Sequence, residues 1–123
     1  MRSPSKTLTE QELEIMKVVW ERQTATVRDV YESLRERRKV AYTTVMTMMK
    51  ILEQKKYLKK SQADRAYVYR PAQPQRQVIG AMVREFVNRV FNGSAEPLLV
   101  HLVEEHDLSR EEWEEIARLR RKS

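Results

Sequence analysis

Two segments decide how this chain is read. One is Ala41-Tyr42-Thr43-Thr44-Val45-Met46-Thr47-Met48-Met49-Lys50-Ile51-Leu52; the other is Arg65-Ala66-Tyr67-Val68-Tyr69-Arg70-Pro71. At about 100° per residue the first forms a helix with two faces. Val45, Met48, Met49 and Leu52 share an apolar stripe, and Thr43, Thr47, Lys50 and Gln54 lie opposite. The stripe can lock the helix to a core and turn hydroxyls, an amide and an ammonium outward, groups suited to base edges and phosphates. Next, Tyr57–Gln62 and Arg65–Arg70 are rich in aromatic and β-branched residues and read as two strands joined by a tight turn around Ala63-Asp64. Pro71 and Pro74 stop that pattern. A polar-faced helix followed by a basic hairpin is the order of a winged helix-turn-helix.

Upstream, Thr9 and Glu12 have capping-box spacing, with Leu8 and Leu13 at staple positions. Leu13, Met16, Val19 and Trp20 continue one apolar face over residues 8–21. Gln23-Thr24-Ala25 is a connector with room for a single bridge to a strand. Thr26 and Asp29 repeat the box, and Val27, Val30, Tyr31 and Leu34 form the buried side of a second helix to about residue 37. Downstream, Val78, Ile79, Met82, Val83, Phe86, Val87, Val90 and Phe91 cover more than half of a helix circumference. So wide an apolar face must bury two sides, one against a second chain. A pocket-lining role is the alternative, and dimer burial is the simpler account. Gly93 reads as a helix C-cap and Ser94 as the next N-cap. Leu98 to Val103 are almost continuously apolar, and Leu108, Ser109, Glu112 and Trp113 open a last helix to about residue 120. The fold class is mainly α with a small β-hairpin. Its divisions are a flexible tail over 1–7, a winged-helix domain over 8–73 and a helical domain over 74–123.

Charge is unevenly placed. Residues 1–80 hold 17 Lys and Arg against 9 Asp and Glu, and residues 81–123 hold 7 against 9. A basic first part with a slightly acidic remainder suits a nucleic-acid-binding half joined to an assembly half. No cysteine is present, which excludes disulfides and thiolate metal sites. No secretory signal or membrane-spanning run is read, so the expected location is the cytoplasm, with no membrane partner. Enzyme chemistry finds no footing. His101 and His106 are five apart and do not share a helix face, His101 and Glu105 read as an exposed ion pair, and two glycines cannot build a phosphate-cradling loop. No metal and no cofactor are expected.

In a helix-turn-helix the second helix of the pair enters the major groove with its N-terminal residues nearest the bases. That places Tyr42, Thr43, Thr44 and Thr47 at base edges, where threonine can hydrogen-bond several bases and touch a thymine methyl. Tyr42 suits a base or a phosphate. Met46 suits a thymine methyl or the core. Arg38, Lys39 and Lys50 suit phosphates, with Arg35 and Arg37 in the same cluster. Lys55, Lys56, Lys59 and Lys60 extend the track, and Arg65 near the ribbon tip suits a minor groove. Tyr67, Val68 and Tyr69 read as sheet core rather than as stacking platforms. A competing reading is a winged-helix interaction module whose basic face binds an acidic protein.

At these residues the chain resembles the penicillinase-repressor family, which includes methicillin-resistance and copper-responsive repressors. The matching features are Leu8-Thr9 to Trp20, Thr26-Val27, Ala41-Tyr42-Thr43-Thr44-Val45 with Thr47, and Lys55-Lys56-Tyr57-Leu58. Further ones are Arg65 to Pro71, Phe91-Asn92-Gly93-Ser94 and Leu108-Ser109. The resemblance implies a homodimer with N-terminal winged helices and a C-terminal three-helix dimerisation region. It also implies repression by occupying an inverted-repeat operator in double-stranded DNA near a promoter. The dimerisation residues would be Val83, Phe86, Val87, Val90, Phe91, Leu98, Leu102 and Trp113. Two departures stand out. Copper-responsive members carry C-terminal cysteines, and this chain has none. Antibiotic-responsive members are released by proteolysis at a bond whose equivalent here is His101-Leu102, where the residues do not match an Asn-Phe site. The partner that triggers release, a protease or another signal, is not indicated.

Overall fold

A computed structural model describes residues 7–63, 65–106 and 108–122, with the side chains of 120–122 left aside. The tail expected over 1–7 therefore lies outside the described residues except for Thr7, and so does Asp64 of the hairpin turn. The element order is α1 (Glu10–Arg22), α2 (Val27–Arg35), α3 (Tyr42–Gln54), β1 (Leu58–Ala63), β2 (Ala66–Pro71), α4 (Gln75–Phe91), α5 (Glu96–His106) and α6 (Arg110–Lys122). The chain divides into two compact units, Met1–Ile79 and Gly80–Ser123, with the break inside α4.

Reciprocal caps start three of the helices. The Thr9 hydroxyl accepts from the Glu12 N–H at 3.1 Å while the Thr9 N–H donates to Glu12 Oε1 at 2.8 Å. Thr26 and Asp29 exchange the same pair of bonds at 3.0 Å each. Ser109 and Glu112 do so at the start of α6. Each box satisfies two amide donors that a helix start would otherwise leave orphaned.

The core of the first unit is built where α1, α2 and α3 meet. Ile15, Met16 and Val19 from α1, Val30 and Leu34 from α2, and Val45, Met49 and Leu52 from α3 are all buried. Leu58 and Tyr69 bring the hairpin onto the same core. The strands pair antiparallel from Leu58 opposite Pro71 to Ala63 opposite Ala66. Ala25 adds the single bridge expected of the connector, exchanging both backbone bonds with Tyr69 at 2.8 and 2.9 Å. That bridge ties the root of the hairpin to the turn between α1 and α2, so the wing is not a free ribbon.

In the second unit, Gly93 closes α4 with a φ of 87° and an N–H bond to Val87 O at 3.1 Å. Only a residue tolerant of the left-handed region fits there. Ser94, expected as the next N-cap, is not one. The first internal bond of α5 runs from the Leu99 N–H to Ala95 O, so Ala95 takes that place. Pro97 supplies the reason: with Ser94 as cap it would occupy the third helical position, and it has no N–H for the serine hydroxyl to accept. α2 ends at Arg35, two residues before the expected stop, and the Arg37 N–H closes its end with a tighter i→i−3 bond to Leu34 O, which the Arg38 N–H shares.

Candidate nucleic-acid interface

α3 is anchored on one side and open on the other. Val45, Met49 and Leu52 face the core, whereas Tyr42, Thr43, Thr44, Met46, Thr47 and Lys50 are exposed. Met46, left open between core and surface by its position, is 40 % exposed and belongs to the outer face. The N-cap of α3 is Ala41, which has no side-chain oxygen and makes no capping bond.

Tyr42 is held in place by neighbours on α2. Its ring meets Tyr31 edge-on with centroids 5.4 Å apart, and the Arg28 guanidinium lies over it at 5.9 Å. Arg35 lies over Tyr31 at 5.7 Å. Neither Arg28 nor Tyr31 stood out as a site residue in the sequence. Their alignment with Tyr42 depends on how α2 crosses α3, and periodicity along one helix does not contain that crossing.

The cations fall into two groups. Lys39, Lys50, Lys59 and Arg65 are exposed on or beside α3 and the hairpin. Lys60 reaches across the wing, 4.5 Å from the Tyr67 ring and 3.7 Å from Glu53. Arg38 and Lys55 are committed to α1 instead. Arg38 donates through Nε and Nη2 to Glu14 Oε1, at 3.1 and 2.8 Å. Lys55 Nζ sits 3.0 Å from both oxygens of Glu12, which is 4 % exposed, and also donates to Thr7 O. Lys55 is thus no part of an outward cationic track. It pins the end of the exposed helix to the start of α1.

Burial works against ionisation of Glu12, yet the Thr9 N–H and the Lys55 ammonium together hold its carboxyl below the ordinary 4.5. Asp29 is likewise lowered from 3.8, first by the Thr26 N–H and also by Arg22 at 3.4 Å. The tyrosines of the wing share one face of β2, two residues apart, and differ in depth. Tyr69, beside the Ala25 bridge, is buried as expected for sheet core, whereas Tyr67, nearer the hairpin tip, is 55 % exposed.

In the second unit, Val83, Phe86, Val90 and Leu102 are large exposed apolar residues, Phe91, Leu98 and Trp113 are half-buried, and Val87 is buried. Phe91 packs between Phe86 at 5.8 Å and His101 at 6.0 Å. α5 has no buried residue at all despite Leu98, Leu99, Val100, Leu102 and Val103. The described residues include no group of His, Asp and Glu placed to hold a metal ion, and no helix long and apolar enough to cross a membrane.

A core of three helices, a bridged hairpin beside them and an outward threonine face on the third helix define a winged helix-turn-helix of the kind that reads DNA. The penicillinase repressor family model matches residues 8–122. The chain belongs to that family, whose named members are transcriptional repressors and not enzymes. It is 38 % identical over 92 residues to the transcriptional regulator BlaI of Mycobacterium tuberculosis, covering 73 % of this chain and 67 % of that one. It is 28 % identical over 109 residues to the penicillinase repressor of Bacillus licheniformis, covering 89 % and 85 %. Among solved structures, the DNA-binding domain of the repressor BlaI matches with a TM-score of 0.53 and 26 % identity over 60 % of this chain and 90 % of that one. Monomeric B. licheniformis BlaI in complex with the blaP half-operator matches with a TM-score of 0.51 and 27 % identity, over 60 % and 88 %.

Proposed function

We propose that this protein is a dimeric, cytoplasmic transcriptional repressor that occupies an inverted-repeat operator overlapping a promoter, one winged helix on each half-site. The observation that carries the reading is the outer face of α3, where Thr43, Thr44 and Thr47 stand exposed while the opposite face is locked into the core. The relative solved with a half-operator supports the same use of the fold. Residues 8–73 form the reading head and 74–123 the dimerisation region. Tyr42, Thr43, Thr44 and Thr47 meet base edges; Lys39, Lys50, Lys59, Lys60 and Arg65 meet phosphates and the wing's groove. Arg38, engaged with Glu14, reaches DNA only by exchanging that carboxylate for a phosphate.

The dimer follows from the second unit's unspent apolar surface. Val83, Phe86, Val90 and Leu102 are exposed, and α5 buries nothing within the chain. A second copy supplies the missing half of that core. Two reading heads related by a two-fold axis then fit half-sites roughly 10 bp apart or a multiple of that.

Selection of bound duplexes from a random library tests the whole reading. Enriched sequences should be inverted repeats with half-sites at that spacing. A pool with no preference over random duplex would instead favour the acidic-protein module.

A further inference from the structure

The start of α2, the outer face of α3 and the wing enclose a groove of about 630 Å³. Tyr42 and Met46 line it from α3, Ala66, Tyr67 and Tyr69 from β2, and Val27 from α2. Three cations stand around these walls, Arg28, Lys50 and Lys60, and no Asp or Glu is among the described residues that line the groove. Two of the cations are stacked on its aromatic rings, Arg28 over Tyr42 and Lys60 over Tyr67. An aromatic face fixes a cation while leaving its charge available to an anion. Glu32 and Glu53 approach Arg28 and Lys60 at 3.5 and 3.7 Å, but neither carboxylate belongs to the lining.

The composition decides between occupants. A duplex read by α3 would bring base edges to Tyr42 and Met46 and phosphates to the cations, but only sugars and phosphates to the phenol rings of Tyr67 and Tyr69 and to Val27 on the other walls. The groove's volume, its mostly apolar and aromatic walls and its few convergent polar groups match the usual make-up of small-molecule sites. We propose that the groove binds a small planar organic anion, its ring between the α3 wall and Tyr67 and its carboxylate drawn to Lys50, Lys60 and Arg28. Tyr42 and Lys50 serve both this site and the proposed DNA face, so ligand and operator exclude one another. The groove thereby becomes a release site that needs neither a thiol nor a cleaved bond. This regulation rests on the reading of α3 as the DNA-facing helix.

The test uses the full chain with cinnamate as probe and neutral cinnamamide, of the same shape, as control. Backbone amide shifts are followed by NMR at constant ionic strength. Cinnamate should shift residues of the groove saturably, with cinnamamide at least tenfold weaker. Saturating cinnamate should then raise the dissociation constant for the selected duplex at least fivefold in a fluorescence-anisotropy titration. Tyr67→Ala should weaken cinnamate at least fivefold and leave duplex affinity in its absence within twofold. Shifts that do not saturate or are scattered over the surface, equal binding of the amide, or undiminished duplex affinity at saturation would each overturn the proposal. A failure of the DNA reading shows separately, as absence of a preferred duplex without any cinnamate present.

Discussion

Thr47 and Lys50 stand a turn apart on the exposed face of α3, and their chemistry assigns them different work. A threonine hydroxyl and methyl meet particular base edges, whereas a lysine ammonium meets phosphates of any sequence. Thr47→Ala should weaken the selected duplex by roughly 1–3 kcal/mol while binding to random duplex is unchanged, as read by anisotropy. Lys50→Ala should weaken both and reduce the slope of log affinity against log salt by about 1. Glu12 acts elsewhere, at the joint between α1 and α3. Replacing it with Gln leaves the half-buried Lys55 ammonium without its counter-charge and should cost about 2 kcal/mol in urea unfolding. Its pH behaviour follows from the sign of its shift. The Glu12 and Asp29 carboxyls ionise below 4.5 and 3.8 in the folded chain, so their stabilisation is complete above those values and is lost as pH falls through the folded ones. The acid limb of a stability–pH curve should be shallower in Glu12→Gln than in the parent protein.

Among the elements, α2 shows how closely local sequence and structure can agree. Thr26 and Asp29 specify its start, and the two bonds they predict are both present. Thr26→Ala should lower stability by about 1 kcal/mol in urea unfolding, with Thr26→Ser recovering most of it. Capping boxes are legible because both partners lie within one turn of chain, where no tertiary information is needed. The stop of α2 was less legible, since it depends on which carbonyl the last N–H groups take; the cap of α5 depends on Pro97, which leaves a Ser94 cap without an N–H donor at the third helical position. The wing was legible as two strands, and Tyr69 as core. Tyr67 was not: alternation puts both tyrosines on one face of the ribbon, and how far along that face the core reaches follows from the Ala25 bridge at Tyr69, which leaves Tyr67 out toward the tip. Arg28 gave no signal at all, because its place over Tyr42 is a product of helix crossing.

At the scale of the whole molecule the two units differ in how complete they are. The first holds a closed core drawn from three helices and the hairpin. The second exposes apolar side chains along α4 and α5 that a lone chain leaves in water. Phe86→Glu combined with Val90→Glu should convert a dimer into a monomer in sedimentation velocity, while the winged-helix unit keeps its own unfolding transition. Parent and variant sedimenting alike would refute the dimer assignment. Loss of the dimer should also reduce affinity for the full inverted repeat far more than for a half-site, because the second head is no longer delivered at high local concentration.

Helix positions, the polar face of α3, the capping boxes and the wide apolar face of residues 78–91 were settled by the sequence alone. They arise from side-chain periodicity and from bonds that close within four residues. Tertiary structure decided which of the cations stay outward. Lys55 and Arg38 look identical to Lys50 and Lys39 along the chain, yet the folded α1 presents Glu12 and Glu14 to the first pair only. Tertiary structure also made the groove, since its walls come from α2, α3 and β2 and its charges converge from residues 28, 50 and 60. Long-range packing alone brings such residues together, and no periodicity along the chain records it.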